Sequence, residues 1–149
     1  MADDAVVTVS ATVLPDEIQK TFSSTMTVTP ADGTEKWYYK LTEVPNTSQD
    51  LIAGYFTDYT AVDSATAPTA VAAATDKILF LYVKNTDAVE SVYIVLDGGT
   101  ASAAVTDGIT LGPSEALSLR IPNTLVQDVH AISSAGTVEC IVCALLDDI

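Results

Sequence analysis

Two cysteines, Cys140 and Cys143, and a single histidine, His130, are the residues whose types could do chemistry at short range. A lone C-x-x-C is redox-active beside a strand-to-helix turn, and binds zinc when a second ligand pair is present. Neither context surrounds this pair. Its neighbours, Val138 to Leu145, read as a strand, on which positions three apart face opposite ways. Two ordinary, mostly buried thiols without a mutual disulfide are therefore expected. His130 would have to serve any Ser-His-Asp or Cys-His relay, yet no G-x-S-x-G elbow or similar nucleophile setting accompanies it. By strand parity it shares a face with Asp128 and Ile132, and a paired or solvated histidine is expected.

Carboxylates are abundant enough to assemble a glycosidase pair or a calcium site from distant positions. No EF-hand spacing occurs, and Asp97-Gly98-Gly99 is more economically a tight turn than a ligand loop. Neither a Walker-type nor a dinucleotide-type glycine loop is present, so nucleotide binding has no support. The expectation is a non-enzymatic protein without metal or cofactor. Trp37, Tyr38, Tyr39, Tyr55, Phe56 and Tyr59 are the candidate binding residues: exposed together, their rings would form a platform for a sugar. Core or interface packing is the competing use of such aromatics.

Twenty Asp and Glu against six Lys and Arg give a formal charge of −14 over 149 residues. Such a surface repels phosphates, so direct nucleic-acid binding is not expected. The charge favours solubility and would suit a basic patch on a protein partner. The hydrophobic share of 48% and mean hydropathy of +0.33 argue for a folded core rather than disorder. The longest apolar run, Ile78 to Val83, is far shorter than the roughly 20 residues of a membrane-spanning helix. Met1-Ala2-Asp3-Asp4 places acid where a secretory signal carries positive charge. Neither membrane insertion nor Sec-type export is expected.

The elements that must position these residues are strands. Val7, Val9, Ala11 and Val13 alternate with Thr8, Ser10 and Thr12, and Phe22, Met26 and Val28 alternate with threonines and serines, the pattern of half-buried strands. Pro15-Asp16 separates the two. Pro30-Ala31-Asp32-Gly33 has turn chemistry and predicts a hairpin. Its second arm would hold Trp37, Tyr39 and Leu41 on one face and Lys36, Tyr38, Lys40 and Thr42 on the other. The pattern weakens from Ser48 to Tyr59, and the Ala- and Thr-rich stretch 62–76 is the candidate internal boundary, with 1–61 as added strands or an arm. Ile78 to Val83 reads as a central strand covered on both faces. Ser91 to Leu96, Leu117 to Ile121, Val129 to Ser133 and Val138 to Leu145 follow as strands, the last two joined as a hairpin by Ser134-Ala135-Gly136. The expectation is one all-β domain over 1–149, a β-sandwich with jelly-roll topology as the preferred version.

The second half resembles the small β-sandwiches of tailed-bacteriophage head decoration and tail accessory proteins. The resemblance covers about half of the chain. It rests on Lys77-Ile78-Leu79-Phe80-Leu81-Tyr82-Val83-Lys84-Asn85, on Ile109-Thr110-Leu111-Gly112-Pro113-Ser114-Glu115 leading into the Leu117 strand, and on Val129 to Thr137. It implies a virion protein, made in the host cytoplasm, that coats or bridges a viral shell as a capsid decoration or cement protein. Its partners would be capsid or other virion proteins and further copies of itself, as a symmetric homo-oligomer such as a trimer. The alternative is a tail or fibre module that recognises a host glycan or another virion protein.

Overall fold

The computed structural model describes residues 5–13, 20–29, 36–58, 69–104 and 108–147, with the backbone alone at 36–37, 55–58 and 69–70. The described residues form twelve strands: β1 Ala5–Val13, β2 Lys20–Val28, β3 Lys36–Pro45, β4 Gln49–Asp50, β5 Tyr55–Asp58 and β6 Thr69–Ala70 come first, the alternation of β-branched and polar residues being clearest in β1 and β2. β7 Lys77–Asn85, β8 Val92–Val95, β9 Ile109–Leu111, β10 Ala116–Leu119, β11 His130–Ser133 and β12 Thr137–Asp147 complete them. Among the described residues the helical content is a single 3-10 turn, Val126–Asp128.

The strands form a six-stranded sheet in the order β10-β7-β12-β3-β5-β6, a four-stranded sheet in the order β4-β11-β8-β9, and a separate β1-β2 hairpin. Pairing between the two main sheets' strands is nested: β3 pairs with β12, β4 with β11, β7 with β10, and β8 with β9, all antiparallel. The core fills the space between the two sheets, making the fold an all-β sandwich. Tyr38, Val44, Leu81, Val83, Val138 and Val142 of the larger sheet meet Val92, Ile94, Leu111 and Ala131 of the smaller one, and all are buried. Leu51 and Ile52, just past β4, and Val126 and Val129, flanking β11, close one end.

A bulge lets one strand serve two layers. β12 pairs Leu145 with Phe80 and the next residue, Leu146, with Ile78, so Leu79 is an extra residue on β7. The inserted residue shifts the side-chain alternation. Ile78, Leu81 and Val83 therefore all enter the core between the sheets, while Phe80 joins Leu145 in a second cluster with Ala5 and Val28. That second cluster is where the root of the β1-β2 hairpin rests on the outer face of the larger sheet.

Two expected hairpins are not found. β2 pairs with β1, and β3 pairs with β12 and β5, so the segment around Pro30, which lies outside the described residues, does not join two paired strands. Ser134-Ala135-Gly136 likewise carries the chain from the smaller sheet to the larger one, since β11 pairs with β4 and β8 whereas β12 pairs with β3 and β7. The corner is held by the Ser133 hydroxyl, which donates to Gly136 O at 2.8 Å. Short turn segments read the same whether the next strand pairs locally or crosses the sandwich. The inter-sheet burial of Val138 and Ala131 decides between them.

Segment 1–61 supplies the β1-β2 hairpin and also β3, β4 and β5, which are built into the main sheets. Within 62–76, residues 62–68 lie outside the described residues. The remainder holds β6 and a turn in which the buried Asp76 carboxylate accepts the Ala72 N–H at 2.9 Å. Asp76 O accepts the Val126 N–H at 3.0 Å, tying this turn to the 3-10 turn.

Candidate interaction surfaces

Alternation along β3 separates the expected aromatic cluster. Tyr38 faces inward, 1% exposed, and its hydroxyl donates to Ala53 O at 3.4 Å. Tyr39 faces outward and is 75% exposed. Neighbouring residues on a strand cannot share a stacking surface, so Tyr38 belongs to the core and Tyr39 to the outer face. Trp37 lies opposite Thr57, and Tyr55 and Phe56 lie opposite Ala70 and Thr69. The side chains of Trp37, Tyr55 and Phe56, and the whole of Tyr59, fall outside the described residues.

His130 is paired. Its Nε2 lies 3.0 Å from Asp50 Oδ1 because β11 and β4 bring the two residues opposite each other. A nucleophilic relay would need a hydroxyl or thiol at the other ring nitrogen. His130 Nδ1 is instead buried and has no hydrogen-bond partner among the described residues. Beside it, a cleft of about 370 Å³ is lined by Tyr38, Lys40, Thr42, Glu43, Gln49 and Asp50. It is open and shallow, and its polar groups belong to the sheet edge: Gln49 Nε2 donates to Glu43 O at 2.5 Å.

Cys140 and Cys143 are both free thiols, one buried in the core and the other partly exposed on the outer face. Burial pushes Cys140 up to about 11 and raises Cys143 in the same direction. Neither thiol is activated as a nucleophile. Asp97-Gly98-Gly99 is a turn: Asp97 Oδ1 accepts the Gly99 N–H at 2.9 Å, Gly98 has φ 75°, and its N–H donates to Asp128 O. Among the described residues no three His, Cys, Asp or Glu side chains are grouped to hold a metal ion. No helix among them is long and apolar enough to cross a membrane.

The surfaces that do stand out are apolar. On one face of the β1-β2 hairpin, Ala5, Val7, Met26 and Val28 pack on the sandwich. The same face continues outward through Val9 at 52% and Val13 at 41% exposure, with Phe22 at 61% opposite the exposed Ala11. The hairpin's other face carries Thr8 and Thr12, whose hydroxyls lie 3.3 and 3.4 Å from those of Thr25 and Thr21. The half-buried strands expected from alternation are thus half-buried only at their root.

A second open patch lies on the outer face of the larger sheet. Tyr39 sits opposite Cys143 and Leu41 opposite Ile141, with Leu41 54% exposed. This patch borders the covered end, since Cys143 is also opposite Tyr82, which packs against the hairpin root. At its far end Glu43 and Glu139 face each other across β3 and β12, both exposed. Sequence alternation placed Tyr39 and Leu41 on one face but gave no sign that the face is open.

No protein-family model matches this chain, and neither the curated proteins nor the solved structures yield a match.

Proposed function

We propose that this chain is a non-enzymatic virion structural protein, a decoration or cement protein that binds the capsid surface of a tailed phage and stabilises it. The observation that carries the reading is the exposed apolar surface itself: on the outer hairpin Val9 and Phe22, and on the open face of the larger sheet Tyr39 and Leu41, are each more than half exposed. Ligand sites for small molecules are concave and few, whereas flat apolar patches on a folded domain mark contacts with macromolecules. The nested strand pairing adds support. A long antiparallel hairpin rolled into two four-stranded sheets, with β5-β6 and the β1-β2 arm as additions, fits the preferred jelly-roll topology, which viral capsid and lectin domains use.

The glycan-binding alternative rested on an aromatic platform. Removing Tyr38 to the core leaves Tyr39 as the exposed member of that cluster among the described residues, which weakens it. The test is co-sedimentation of the purified chain with particles assembled without it. Saturable binding that plateaus at a fixed number of copies per shell supports the cement reading. Absence of binding, together with a positive glycan array, would replace it with the alternative.

A further inference from the structure

We propose that the hairpin arm of one copy lies across the open outer face of the larger sheet of a second copy, so that the chain self-associates through arm-to-sheet contacts. This goes beyond the virion reading and stands without it. Three observations choose the occupant.

The first is continuity. The arm's apolar face already packs on this sheet face within one chain, where Ala5, Val7, Met26 and Val28 meet Phe80, Tyr82 and Leu145. Both halves of that contact run on uncovered: the arm through Val9, Val13 and Phe22, the sheet through Tyr39 and Leu41. The unsatisfied remainder of each surface has the composition of the other's partner. The outer half of the arm is left exposed by its own chain, so the match falls to a second copy.

Charge is the second. At a net −14, copies of this chain repel one another wherever acids face acids. β1 and β2 together carry one charged residue, Lys20, and the acids Asp16 and Glu17 fall in the link between them. The arm strands can therefore approach an acidic neighbour without repulsion.

Third, the ends correspond. Lys20 lies opposite Val13 at the outer end of the arm strands, on the same face as Phe22. The sheet patch ends at Glu43 opposite Glu139, a like-charge pair that an incoming cation would relieve. Apolar residues followed by a cation thus meet apolar residues followed by two acids.

The full-length chain is tested by light scattering coupled to size exclusion, at concentrations on the order of 10–100 μM, where micromolar association is populated. Wild type is expected at a multiple of 15.6 kDa. An arm variant, Val9→Asp with Phe22→Asp, and a sheet variant, Leu41→Asp, are each expected at the monomer mass with unchanged circular dichroism. Mixed in equal amounts, they should regain twice the monomer mass, because the sheet variant keeps an intact arm and the arm variant an intact sheet face. A monomeric wild type overturns the proposal, as do variants that keep the wild-type mass. A mixture that stays monomeric overturns it in favour of like faces meeting like. An arm variant that keeps its mass but loses particle binding assigns the arm to the virion surface instead.

Discussion

Asn85 is completely buried and uses its whole side chain. Its Nδ2 donates to Glu90 O at 2.7 Å and Gly112 O at 3.0 Å, and its Oδ1 accepts the Asp87 N–H at 2.9 Å. One residue thereby fastens the turn after β7 to the turn after β9. Asp87 continues the network, accepting the Glu90 and Val89 N–H groups, which hold its carboxyl below the usual range. Replacing Asn85 by Ala would leave the Glu90 carbonyl and the Asp87 amide without this partner, while Gly112 O would keep the Glu115 N–H at 3.2 Å. The expected cost is about 1–3 kcal/mol, read from the urea midpoint of N85A against wild type. The two thiols make a second residue-scale test. In the native protein a maleimide should label Cys143 well before Cys140, with the sites assigned by mass spectrometry. Cys140 ionises near 9.0 in the unfolded chain but is held neutral up to about 11 in the fold. Its contribution to stability is therefore complete below pH 9 and is lost as pH rises toward 11, so Cys140→Val should flatten the alkaline limb of a Tm-against-pH curve.

The bulge at Leu79 shows how a strand can satisfy two apolar layers, and it makes a prediction of its own. Deleting Leu79 would remove the bulge yet leave Ile78 opposite Leu146 and in the core, because Phe80 faces outward and the residue joined to it faces inward. The shortened strand should thus keep its core, whereas Ile78→Ala, at a fully buried position, should cost about 2–5 kcal/mol, measured by thermal or urea unfolding. Leu79 itself could not have been singled out from the sequence, because Ile78 to Val83 is apolar throughout and gives no parity to break. The strands with clean alternation, β1, β2 and β3, were legible, as was β7 from its unbroken apolar run. Their partners were not. Pro30 to Gly33 and Ser134 to Gly136 carry the residues of a local reversal, yet β3 and β12 pair with each other across most of the chain length. Turn chemistry is local, whereas nested pairing is chosen by which faces bury together, and that information is spread over residues such as Val44, Val142 and Ile94. The candidate site was legible in part: alternation along β3 already separated Tyr38 from Tyr39, but not which of the two faces is open.

At the scale of the whole molecule, a charge of −14 on 149 residues sets self-repulsion against a sandwich core. Screening weakens that repulsion over a Debye length of about 8–10 Å near physiological salt. Raising sodium chloride from a few millimolar toward physiological strength should therefore raise Tm, an outcome opposite to that of a fold held by surface ion pairs. The same balance favours self-association through surfaces such as the outer hairpin, whose strands carry no acid. It also ties the oligomer to the capsid reading, since copies joined by arms could tile a shell whose own surface supplies the remaining contact. The most direct measurement is a cryo-electron microscopy reconstruction of the particle assembled with and without this chain. The account predicts extra density repeating with the shell lattice, each unit a β-sandwich with a projecting hairpin. Identical shells in the two reconstructions would contradict it.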